Sequence, residues 1–142
     1  MSSLQERQNE LVNEFLKIQD WEDRYKKIID LSKTLPPLEE SKKTELNLVK
    51  GCQSQVWLVA ELTPEGKILL KGDSDAVLVK GLVAVVLRIY SNSFPEEILN
   101  TPPTFLKDLG FEGNLSPNRA NGLHTMLKQI RLFATAFSLL KR

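Results

Sequence analysis

Cys52 is the only thiol in the sequence and His124 the only imidazole, so nucleophilic, redox or soft-metal chemistry has few atoms to work with. Cys52 follows Gly51 and precedes Gln53 and Ser54, at the junction between a polar connection and a run of β-formers. A loop held there by a rigid strand suits a reacting group. Gly51 can take positive φ at no Cβ penalty and lets a partner approach closely. Gln53, Ser54 and nearby amides can stabilise a thiolate by hydrogen bonding. The competing reading is a small buried hydrophobe, since free cysteine is among the most buried residue types.

Other candidates are weaker. His124 could deprotonate Cys52 as a cysteine–histidine pair, but it stands in an amphipathic stretch beside Leu123, where a packed or solvated imidazole is the commoner role. Asp73 and Asp75 form a carboxylate pair, yet their place before an apolar segment suits helix capping better than acid–base work. Arg119 falls in the first turn of the last helix, against the helix dipole; an anionic partner is one reason for it and a plain surface position the other. No glycine spacing matches a phosphate-cradling motif. The glycosylation triplet at residues 114–116 occurs often by chance and is discarded.

These residues need elements to position them. Leu4, Leu11, Phe15 and Ile18 recur at helical spacing, and Asp20 can cap a second helix with Trp21, Tyr25, Ile28 and Ile29 on one side, ended by Pro36 and Pro37. Residues 38–50 read as a surface connection with a short strand at 47–49. Residues 55–62 and 67–71 form a hairpin around the turn at 63–66. Asp73, Ser74 and Asp75 offer N-caps for a helix over 76–90, whose valines leave a strand as the alternative. A short helix starts at 94–99 with proline and acids at its favourable end, and Ser116-Pro117 opens a long C-terminal helix. The expected class is α+β: a small antiparallel sheet packed against helices from both chain ends.

Composition narrows the function. The chain has 142 residues, 42% of them hydrophobic and 26% charged, which suits one domain with an ordinary core. Nineteen basic against eighteen acidic side chains are too balanced for the counterion release of a general nucleic-acid binder. The apolar run at 81–87 is far short of the roughly 20 residues that span a bilayer, so no membrane role is expected. The first ten residues carry acids and no apolar run, unlike a secretory signal or transit peptide. A lone cysteine forms no intramolecular disulfide and suits the cytoplasm. With a lone histidine beside it, a zinc or iron–sulfur site within the chain is not expected.

Several short motifs follow one another in order: Trp21-Glu22 with Tyr25, Leu35-Pro36, residues 51–57 (Gly-Cys-Gln-Ser-Gln-Val-Trp), 72–76 (Gly-Asp-Ser-Asp-Ala), 79–82 (Val-Lys-Gly-Leu), 116–119 (Ser-Pro-Asn-Arg), and Gly122-Leu123. Together they resemble the SufE-type sulfur-acceptor proteins over nearly the whole of 1–142, as a single domain. The resemblance implies an α+β fold similar to iron–sulfur scaffold proteins, and a non-enzymatic partner of a SufS- or CsdA-type cysteine desulfurase. Cys52 would carry persulfide sulfur from that desulfurase to an iron–sulfur scaffold complex and stimulate the donor. Pyridoxal phosphate would belong to the partner and not to this chain. Gly51, Gln53 and Ser54 would support the loop, and Asp75 and Arg119 would serve its placement or docking. Residues 38–46 and 106–114 carry no family motif. The rival readings are a stand-alone thiol enzyme using Cys52 with His124, and an interaction module whose cysteine is inert.

Overall fold

The computed structural model describes residues 3–140. Helix α1, Leu4–Leu16, starts at a reciprocal cap in which Ser3 Oγ accepts from the Glu6 amide and the Glu6 carboxylate accepts from the Ser3 amide. Leu4, Leu11 and Phe15 of its stripe are fully buried, as the spacing predicts, but the helix ends at Leu16, so Ile18 falls beyond it and is only half-buried. Helix α2, Trp21–Ser32, is capped by Asp20, which accepts from the Glu22 amide at 3.2 Å. Ile28 is fully buried, but the roughly 100° helical step after it turns Ile29 out toward solvent, so Ile29 does not share the inward face expected of it.

Between α2 and the sheet run two single 3-10 turns, Glu40–Lys42 and Glu45–Asn47. The short strand expected at 47–49 is reduced to one antiparallel bridge, Leu48 to Trp57. Strands β1, Val56–Leu62, and β2, Ile68–Ser74, pair antiparallel with Val56 opposite Ser74 and Leu62 opposite Ile68. β2 runs three residues further than its β-branched and leucine content suggested. Gly72 and Asp73 are tolerated there because β1 supplies their ladder partners, Leu58 and Trp57.

Helix α3, Val77–Tyr90, lies between that sheet and α2. Its valines do not make a strand because burial on nearly every side, including Leu82, Val83, Val85, Val86 and Ile89, suits a central helix as well. Each such side chain contributes about 1.5–3 kcal/mol on leaving water. The expected caps are not used as such. Ala76 is the N-cap without a side-chain bond, and the preceding polar groups turn to other partners, among them Ser74 Oγ, which accepts from the Ala76 amide at 3.3 Å.

Helix α4, Pro95–Asn100, is followed by two one-turn helices, α5, Phe105–Asp108, and α6, Phe111–Asn114, and then by α7, Pro117–Leu140. Ser116 caps α7 by accepting from the Arg119 amide at 3.3 Å. The terminal helices α1 and α7 both pack on α3, so the sheet meets the chain ends through that central helix. Gln8, fully buried on α1, fixes the turn before α5: its Oε1 accepts from the Phe105 amide at 3.1 Å and its Nε2 donates to the Pro102 carbonyl at 3.2 Å. Among the described residues no helix is long and apolar enough to cross a membrane.

Candidate functional site

Cys52 stands at the tip of a short connection between the Leu48 bridge and β1. The Val49 amide closes its base by donating to the Val56 carbonyl at 2.7 Å, and Gly51 turns the chain at φ +92°, a conformation that side-chain-bearing residues rarely take. On the other flank Asp75 clasps the backbone of Gln55 from both sides. Its Oδ1 accepts from the Gln55 amide at 3.0 Å, and its own amide donates to the Gln55 carbonyl at 3.3 Å. The carboxylate that capping arguments assigned to the helix therefore braces the cysteine loop.

Asp73 is the buried member of the pair. Its carboxylate meets Lys43 and Lys80 at 3.3 Å each and accepts from the Ser74 amide at 2.7 Å, while Lys43 also lies over the Trp57 ring. Burial alone would raise the Asp73 pKa, but the Ser74 amide and the two lysines outweigh it and hold the group below its ordinary value. The two carboxylates are thus committed to separate structural partners and do not form an acid–base pair. Their cluster ties β2, α3 and the 40–43 turn together beneath the loop.

The thiol itself is half-buried against α7. Its S–H donates to the Gly122 carbonyl at 3.8 Å, and burial pushes its pKa up. A carbonyl oxygen accepts from a thiol but repels a thiolate, so in this position Cys52 rests protonated. Beside it opens a cleft of about 370 Å³. Val79, Leu82 and Met126 form the apolar part of its lining, and Gln53, Ser54 and Arg119 the polar part. The Arg119 side chain is exposed, and its guanidinium makes no hydrogen bond or ion pair among the described residues.

The structure thus brings together Gly51, Cys52, Gln53, Ser54 and Arg119, and holds Asp75 one hydrogen-bonded step away. It does not bring in His124, which is exposed and lines a separate groove with Leu106 and Lys128. Among the described residues no group of three or more histidine, cysteine, aspartate or glutamate side chains could hold a metal ion. Gly122 entered the sequence reading only as part of the Gly122-Leu123 motif and without a site role, although it faces the thiol. An interior glycine in an otherwise amphipathic helix was the available signal.

Residues 9–134 match the family model of SufE, an Fe-S metabolism associated domain. The chain belongs to the SufE family. A hypothetical protein from Thermus thermophilus, known from its solution structure, shares the fold with a TM-score of 0.77 and 22% identity, over 94% of this chain and 96% of that one. The SufE match includes every site residue named above and both strands, and it ties the chain to iron–sulfur metabolism. The matched segment stops inside α7, six residues short of the last described position.

Proposed function

We infer that this SufE-family chain is a covalent sulfur carrier, with Cys52 accepting sulfane sulfur from the persulfide of a cysteine desulfurase and handing it to an iron–sulfur scaffold. The observation that carries this reading is one thiol on a braced loop, facing a cleft that is large enough for cargo and whose lining holds no histidine, lysine or carboxylate to act as a base. A carrier needs no more. In the transfer the Cys52 thiolate attacks the terminal sulfur of the donor persulfide. The new bond joins that sulfur to Cys52, the donor's S–S bond breaks, and its electron pair leaves with the donor cysteine as thiolate. Sulfur changes carrier without net oxidation, and no sulfide is released.

The resting thiol is the wrong protonation state for attack, since only thiolate is competent. Docking therefore has to move Cys52 away from the Gly122 carbonyl or bring donors and positive charge to it. Gly51 can supply the backbone freedom, while Asp75 holds the loop's base and the unpaired Arg119 offers a cation to the partner or to the developing thiolate. The pyridoxal phosphate that liberates the sulfur resides on the desulfurase. The rival thiol enzyme requires His124 near Cys52, and the two line different depressions. Alanine release by a desulfurase supplied with cysteine tests the proposal. Added chain should accelerate it and Cys52→Ser should abolish the acceleration; equal acceleration by both proteins would overturn the reading.

A further inference from the structure

Gly122 occupies the interior of α7 with ordinary helical backbone, since the positive φ angles among glycines fall at 51, 66 and 110. Glycine there is the poorest helix former except proline. Such a residue is usually explained by close packing, as at Gly81, where an added Cβ would stand 2.1 Å from the Ile28 carbonyl oxygen. Gly122 has no such excuse. A Cβ built at 122 meets one atom within 4 Å, Cys52 Sγ at 3.7 Å, which is ordinary van der Waals contact. An alanine would therefore suit the resting thiol and favour the helix, yet the residue is glycine. A local rule broken without a packing gain points to function.

We propose that Gly122 is the specificity-determining residue of the cleft: its missing methyl reserves the space into which the terminal sulfur of Cys52 persulfide folds when the loop is tucked in. This rests on the carrier reading and adds to it where the cargo goes. A second sulfur adds a bond of about 2.05 Å to Sγ. Directed at α7 it closes most of the 3.7 Å that separates Sγ from a methyl at 122, so alanine clashes with it, whereas in glycine the nearest atom behind that position, Cα, lies up to about 1.5 Å further off and a sulfur turned slightly aside fits. Val79, Leu82 and Met126 line the apolar side of the cleft, and Met126 offers a polarisable thioether to the guest sulfur. Gly122 thus selects between a bare thiol, which alanine tolerates, and a sulfur-loaded one, which it does not.

The test compares the native chain with Gly122→Ala in two states. As free thiols, the variant should melt about 2–4 °C higher, because helix propensity and a less flexible unfolded chain both favour alanine. Loaded with sulfur by inorganic polysulfide, which requires no desulfurase, the variant's adduct should be lost to dithiothreitol at least ten-fold faster by intact mass. A lower melting temperature, or equal rates of loss, would overturn the proposal. Loading by a desulfurase, pyridoxal phosphate and cysteine is run in parallel. If only polysulfide loads the native chain, the carrier reading fails while the Gly122 comparison still stands or falls on its own rates.

Discussion

At Cys52 the surroundings favour the neutral thiol, because burial raises its pKa and the neighbouring Gly122 carbonyl accepts its proton. A thiol whose folded pKa exceeds the unfolded one contributes stability that is fully present below the unfolded value and lost as pH rises through the folded value. Alkylation of the free protein by iodoacetamide should accordingly show a pH midpoint above that of a cysteine peptide, and Cys52→Ala should unfold with less sensitivity to pH on the alkaline side. A midpoint at or below the peptide's would mean that the loop activates the thiol unaided. The position of this residue was legible in the sequence, since a single cysteine beside glycine before a strand leaves little choice. Its environment was not, because Gly122 lies 70 residues away and meets it only through the packing of α7.

Elements set how firmly that residue is held. The Asp75–Gln55 clasp joins the end of the loop to the start of α3, and neither partner is buried. Asp75→Ala should leave the unfolding temperature nearly unchanged while the Gln55 amide exchanges faster and Cys52 alkylates several-fold faster; unchanged alkylation would show that the loop is held without the clasp. Deeper in, α2 and α3 approach so closely at Gly81 that any side chain must push Ile28 away. Gly81→Ala should cost on the order of 3 kcal/mol in denaturant unfolding, the scale of overpacking in a core. The long helices and the hairpin were legible from periodicity and turn residues. The one-turn helices α5 and α6 were not, since four residues carry no period, and their place is set by Phe105, Leu109 and Phe111 entering the core. Asp73 and Asp75 were misread as caps for a related reason: lysines and a backbone brought near by tertiary folding outcompeted the adjacent helix end.

Among the described residues, charge links the helical layer and leaves the Arg119 guanidinium beside the cleft without an ion-pair partner. Arg88 of α3 holds Glu14 of α1 through a bidentate pair, with Lys27 of α2 joining at 3.3 Å, and this keeps the Glu14 pKa below its ordinary value. Glu14 therefore supports the fold above the unfolded carboxyl pKa and ceases to as pH falls through the folded one. Glu14→Gln should lose about 1 kcal/mol at neutral pH, a figure reduced for partial exposure, and the difference from the native chain should vanish in acid titration. Arg119, in contrast, serves no partner within the described fold. Arg119→Ala should keep the native stability and weaken desulfurase binding in a salt-dependent way, measured by calorimetry at two ionic strengths; loss of stability instead would make it a structural residue.

The most direct measurement is the intact mass of the chain after incubation with a cysteine desulfurase, its pyridoxal phosphate and cysteine, set beside Cys52→Ser treated alike. The carrier account predicts a gain of one sulfur atom on the native chain, removable by dithiothreitol, and none on the variant. A native chain that gains nothing, or a variant that gains as much, would contradict it.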